Sequence, residues 1–157
     1  MSPNLAARDQ GSLTLELALA IPVLLLLTLG SLFVGLLYMN QATLQSAAVV
    51  GARSASYDGG DFTGVEQDIA NEVFARYMGD PNAVEVTLTF MDAEGNVTYS
   101  NSYSLQTPAV DWAGASAGPG ERIRVKVSYP GYSLDIPFMT SSQIDLSGTA
   151  VARNAAP

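Results

Sequence analysis

Any chemistry in this chain must be built from carboxylates, hydroxyls and a few cations, because its 157 residues include no histidine and no cysteine. That removes disulfides, thiol nucleophiles, thiolate metal sites and a lipid-modified cysteine. It also removes imidazole bases and most zinc sites. Three groups of charged residues remain. Glu16 stands at the edge of a long apolar run. Asp58, Asp61, Glu66 and Asp68 lie close together but lack the alternation of an EF-hand calcium loop, so they are expected to serve a turn and a helix start rather than a metal. Arg122, Arg124 and Lys126 alternate along one segment and belong on one strand face, either as a patch for a polyanion or partner or as a solvated face balanced by acids. No Gly-rich nucleotide-binding loop is present. The chain carries no credible catalytic set, so no enzyme and no cofactor are expected.

The elements that must position these groups begin with the apolar run. Leu17–Tyr38 reads LALAIPVLLLLTLGSLFVGLLY, and Tyr38 is the one ionisable side chain between Leu17 and Ala52. A helix of this length spans a hydrocarbon core of about 30 Å and exceeds the apolar stretch of a removable secretory signal. Pro22 lacks a backbone donor and is expected to bend the helix near its start. Flanking charge, Arg8 against Asp9 before the span and Arg53 then Asp58 and Asp61 after it, gives only a weak preference for an inside N-terminus and by itself leaves the orientation open. Beyond the span, Ala42, Ser46, Val49, Val50 and Arg53 fall at helical spacing in an Ala-rich extension, where small residues let another helix approach closely.

The rest of the chain carries almost all of the formal charge of −8. An acidic domain of this kind disfavours nucleic acid as a partner. Asp58-Gly59-Gly60 signals a turn, and Thr63 with Glu66 has the form of a capping box. Val65, Ile69, Val73 and Tyr77, with Phe74 and Met78, predict a helix over 64–78 with Gly79 at its C-cap and Pro81 as a stop. Alternation predicts strands over 84–91, 97–105, 123–129, 132–138 and 143–152. Glu94-Gly95-Asn96 and Pro130-Gly131 are read as the turns between neighbours, and Asn96-Val97-Thr98 as turn chemistry rather than a glycosylation site. Pro137 ends its strand or puts it at an edge. Trp112 sits in a Pro- and Gly-rich loop over 106–120 and is expected to fold back on the sheet. The expected fold is α+β: a long N-terminal helix, a shorter amphipathic helix and an antiparallel sheet of four or five strands.

Gly11–Leu25, GSLTLELALAIPVLL, resembles the type IV prepilin signature: Gly at a cleavage point, Glu five residues on, then a long apolar helix. Within that superfamily the chain is most similar to the TadE-like pseudopilins of the tight-adherence (Tad, or Flp) pilus system. LELALAIPVLLLL, with Pro22 six residues after Glu16, looks like their N-terminal pattern, and QSAAVVGARSASY like their helix exit. VKVSYPGYSLDIPF and IDLSGTAVARN resemble their closing strands. Ser12 departs from the aromatic or Met residue that opens classical mature pilins.

The resemblance implies a leader over 1–11, cut by a membrane prepilin peptidase between Gly11 and Ser12, and a helix over 12–57 with its membrane part at about 17–38. It implies an extracytoplasmic domain over 58–157. Glu16, the fifth residue of the cut chain, would pair with the Ser12 amine of its own or a neighbouring subunit, which offsets a partly buried carboxylate. The implied protein is a minor pilin acting in assembly or adhesion of a Tad pilus. It sits in the inner membrane or the surface fibre, with membrane lipid, other pilins, a membrane platform and, indirectly, that platform's ATPase as partners. A pseudopilin of a secretion or DNA-uptake machine shares these features. An unprocessed, signal-anchored binding domain is the reading from another class, and would leave Gly11 dispensable.

Overall fold

The computed structural model describes residues 4–57, 62–105, 117–134 and 142–155, so Asp58, Asp61, Trp112 and Pro137 lie outside the described residues. The elements run α1 (Asn4–Tyr57), α2 (Thr63–Arg76), a 3-10 turn (Pro81–Ala83), β1 (Glu85–Met91), β2 (Val97–Ser104), β3 (Arg122–Leu134) and β4 (Ser142–Arg153). They divide into two compact units, Met1–Leu37 and Tyr38–Pro157. The first unit is helix alone. The second contains the end of α1, α2 and one four-stranded sheet of order β2-β1-β3-β4, every neighbouring pair antiparallel. The α+β expectation holds.

In the second unit, alternation in the sequence becomes two sheet faces. Val86, Leu88 and Phe90 of β1 and Ile123, Val125 and Val127 of β3 are buried on one face, paired Val86–Val127, Leu88–Val125 and Phe90–Ile123. Val65, Ile69 and Val73 of α2 are buried with them, and Phe62 packs against Phe90 with ring centroids 5.2 Å apart. Burying each such side chain contributes about 1.5–3 kcal/mol. Tyr99 of β2 stacks on Phe90 at 5.2 Å, which gives the otherwise polar strand VTYSNSYS an apolar hold on its neighbour.

The last turns of α1 lie on this same face. Leu44, Ala47, Ala48, Ala52 and Ala55 are buried, and Gly51 is buried against Ile69 and Val125. The stripe through Ala42, Val49 and Arg53 is instead exposed. The helix backbone comes close to its neighbours at two places, at Gly51 to Ile69 and Val125 and at Leu44 and Gln45 to β4. A Cβ at Gly148 would collide with the Leu44 carbonyl oxygen and the backbone of Gln45. Two glutamines one turn apart then satisfy the β4 backbone: Gln41 Nε2 donates to the Ser147 carbonyl (2.6 Å), and Gln45 both donates to the Thr149 carbonyl (3.0 Å) and accepts from its amide (3.1 Å). These side chains complete hydrogen bonds that an edge strand otherwise leaves to another chain.

Several local expectations are corrected. Pro130-Gly131 is not a turn between strands. β3 runs through it, with Tyr129 opposite Leu146 and Tyr132 opposite Ile144, and the register shift between them is a bulge. Gly131 supplies the left-handed backbone (φ +70) and its amide donates to Asp145 Oδ1 (2.9 Å). β1 pairs with β3 only as far as Ser128, so Pro130 sits where β3 has a neighbour on one side. Among the described residues the sheet thus has four strands, within the expected four or five. α2 begins at Thr63 with Phe62 at the N-cap, which takes Thr63 out of the capping position. Its C-cap is Tyr77 in extended backbone, not Gly79, and Gly79 is held close to the Tyr77 ring, where a Cβ would meet Cε1 at 2.6 Å. Phe74 and Met78 are exposed, outside the buried stripe of Val65, Ile69, Val73 and Tyr77.

The β1–β2 turn is closed as expected around Gly95 (φ +92). Asp92 takes the Asn96 amide (2.7 Å) and Asn96 Nδ2 (2.9 Å) on its carboxylate. The Asn96 side chain and the turn amides hold the Asp92 carboxyl below the usual aspartate range.

Two outcomes follow. Gly148→Val should destabilise the sheet unit by about 1–3 kcal/mol or prevent its folding. Gly30→Ala, where an added Cβ meets nothing within 4 Å, should leave it unchanged. Thermal melts of the full chain in detergent, followed by circular dichroism, check both. For Asp92, a lowered folded value means stability that is present above the ordinary aspartate range and lost as pH falls through the folded value. The wild type should therefore exceed Asp92→Ala in melting temperature at neutral pH, and the gap should close on acidification below that range.

Candidate functional site

In the first unit the described side chains of the helix are mostly apolar and exposed. Leu15, Leu17, Leu19, Ile21, Val23, Leu24, Leu25, Leu26 and Leu27 are each about half or more exposed. This is the one helix among the described residues long and apolar enough to cross a membrane, with a mean hydropathy of 2.6 in its richest window. The 24 residues from Thr14 to Leu37 rise about 36 Å, enough for a hydrocarbon core of about 30 Å. Its hydroxyls are satisfied internally: Thr28 Oγ1 donates to the Leu24 and Leu25 carbonyls (2.9 and 3.0 Å) and Ser31 Oγ to that of Thr28 (2.9 Å). Such back-bonding suits a medium without water.

The motif residues share this helix. Gly11 and Ser12 fall within its backbone, and their side chains lie outside the described residues. Glu16 is exposed between Leu15 and Leu17, with no hydrogen bond or ion pair among the described residues. The helix continues through Pro22 without a break, although the ring leaves the Ala18 carbonyl without its usual donor.

The second unit carries charge on two opposite layers. On the open face of the sheet, Arg122, Arg124 and Lys126 alternate with the buried residues of β3, as the sequence implied. Register adds Arg153, which stands directly opposite Arg122. Like charges directly opposite in a sheet are destabilising. None of the four cations is ion-paired among the described residues. Their neighbours across the strands are neutral: Met91, Thr89 and Thr87 on β1, Val151 and Thr149 on β4. Glu121, next to Arg122 in sequence, is already engaged by the Gly118 amide (2.7 Å).

The acids of α2 belong to the other layer. Asp68 accepts from Ser54 Oγ (2.8 Å), and Glu72 accepts from Ser46 Oγ (2.8 Å) and pairs with Arg76 (3.2 Å). These bonds fasten α2 to the end of α1. Glu66 and Asp68 thus serve helix and packing roles. Among the described residues no group of three or more acids is placed to hold a metal ion.

A third cluster joins α1, the exit of α2 and the bulge of β3. Buried Asn40 donates to the Tyr132 hydroxyl (3.4 Å) and accepts from the Met78 amide (3.1 Å). Tyr129 packs between Tyr77 and Tyr132, at 5.6 and 5.7 Å. The Tyr77 hydroxyl is buried without a hydrogen-bond partner among the described residues, and burial pushes its ionisation far up from the usual tyrosine value. Sequence reasoning missed Asn40, Gln41, Gln45 and Arg153. The parity of β4 in SGTAVAR hints at Arg153, but its partner depends on strand register.

A helix long and apolar enough to cross a membrane, carrying all the motif residues and followed by an α+β unit, is the class that fold and site define. The family model described as TadE-like protein matches residues 11–53, from Gly11 through Glu16 and Pro22 to Arg53. Over this segment the chain is similar to proteins of that description. No curated protein and no solved structure matches the chain.

Proposed function

We propose that this chain is a minor pilin, or pseudopilin, of a Tad pilus, with a structural rather than an enzymatic role. A prepilin peptidase cuts between Gly11 and Ser12. The helix beginning at Ser12 holds the chain in the inner membrane, N-terminus inside, and the sheet unit lies outside the cytoplasmic membrane. Glu16 then pairs with a Ser12 amine, its own or that of a neighbouring pilin, as the chain enters the fibre or primes its growth. A membrane platform and its ATPase supply the work.

The observation that carries this reading is the TadE-like match over residues 11–53, which contains Gly11, Ser12 and Glu16 on one apolar helix. The electrostatics agree. An ionised carboxylate well inside a bilayer costs about 2.5–3.5 kcal/mol on insertion scales, and Glu16 has no partner among the described residues to offset it. An ammonium from a second chain supplies the missing charge.

In cells that assemble the fibre, Glu16→Leu should be cut at Gly11 like the wild type yet fall at least about tenfold in the sheared surface fraction, one lost charge pair of at least about 1.4 kcal/mol. Gly11→Arg should remain uncut in the membrane. Wild-type surface levels of Glu16→Leu would contradict the pairing, and normal surface levels of uncut Gly11→Arg would contradict the processed-pilin reading.

A further inference from the structure

We propose that the open sheet face of this protein docks front to back on the α2 face of a second copy anchored in the same membrane. The proposal rests on the anchored reading above and goes beyond it by naming the two contacting faces. Two observations carry it. The first is that Arg122, Arg124, Lys126 and Arg153 share one sheet face, with Arg122 opposite Arg153, and none is ion-paired among the described residues. An arrangement that costs stability within one chain is expected where a partner relieves it. The second is that the opposite layer has the complementary sign. α2 carries more acid than base, and its Asp68 is exposed with one oxygen taken by the Ser54 hydroxyl, while Glu72 is engaged by Ser46 and Arg76.

The arrangement of charge selects the geometry. Sheet against sheet sets four cations on four cations, and α2 against α2 sets acids on acids. Only sheet against α2 brings opposite signs together, so the contact is heterologous. A front-to-back contact can be made by translation, which leaves both α1 helices running the same way. Two copies inserted in one membrane with the same polarity require that relation. Around the cations, Thr87, Thr89, Ser100, Ser102 and Thr149 offer neutral hydrogen-bonding groups, and the acid of the β1 row, Glu85, lies at its end, diagonal to Lys126.

The absence of cysteine makes the test direct. Asn71 on α2 and Thr149 on the sheet face are both exposed. The full chain in native membranes would carry Asn71→Cys, Thr149→Cys, or both, and be treated with a mild oxidant. The double variant should give a ladder of dimers and larger species. Each single variant should stay monomeric, and the two single variants expressed together should stop at dimers. Yield should fall several-fold when salt is raised from about 50 mM to about 0.5 M, as screening of exposed charges requires. Arg124→Glu with Arg153→Glu should remove the ladder, and a co-expressed partner carrying Asp68→Lys should restore cross-linking to those subunits.

Disulfide dimers of either single variant alone, no ladder from the double variant, or a yield indifferent to salt would overturn the proposal. So would retention of the full chain on a sulfated polysaccharide, lost with Arg124→Glu and Arg153→Glu, in the absence of any ladder, since the cations would then serve a polymer. Recovery of all variants in the soluble fraction would instead overturn the anchored reading, and the ladder would then be read in solution by the same criteria.

Discussion

The sheet unit depends on one close approach, the backbone of α1 against β4 at Gly148. A side chain there would strike the Leu44 carbonyl and the Gln45 backbone, so the strand needs a glycine. Elsewhere along the same helix the buried residues are also small, Ala47, Ala48, Ala52, Ala55 and Gly51, the last against Ile69 of α2 and Val125 of β3. Because the helix comes this near, Gln41 and Gln45 reach the β4 backbone and satisfy part of its edge. Ser46 and Ser54, on another side of the helix, reach Glu72 and Asp68 and hold α2 in place. The Ala-rich exit of the apolar helix is thus a packing surface for its own sheet, and residues 38–57 belong to that unit.

This explains what was legible in the sequence. Strict alternation in β1 and in the first half of β3 gave the strands and their inward faces, since each has one buried and one open side. The stripe Val65, Ile69, Val73 and Tyr77 gave α2. The long apolar helix was legible because its leucines run almost unbroken, and Gly11, Ser12, Glu16 and Pro22 all fall on it. The α1 exit was harder. Its buried stripe is alanine and glycine, which hydrophobic periodicity scarcely registers. Pro130-Gly131 read as a turn because those residues are the strongest turn signals, yet cross-strand pairing on both sides carried β3 through as a bulge. The capping box failed for a different reason: Phe62 is buried on Phe90 and takes the N-cap position. Arg153 joined the other three cations only through register, which no single segment encodes.

Charge and apolar surface are separated along and across the molecule. Among the described side chains of the first unit, exposed leucines flank one carboxylate, Glu16. The second unit presents cations on the open side of its sheet and acids on α2. Neither the unpartnered Glu16 nor the opposed Arg122 and Arg153 is resolved within the described chain. In the proposed assembly both would be met by neighbours of the right charge, an amine beside Glu16 and an acidic face beside the sheet. A subunit that works in contact with other subunits accounts for the two features together, and the TadE-like match over residues 11–53 fits such a subunit.

The most direct test of the account is the intact mass of the protein recovered from its native cells. Cleavage between Gly11 and Ser12 predicts a chain that begins at Ser12 and keeps Glu16 as its fifth residue. A chain that begins at Met1 or Ser2 would contradict the account and leave an unprocessed membrane anchor in its place.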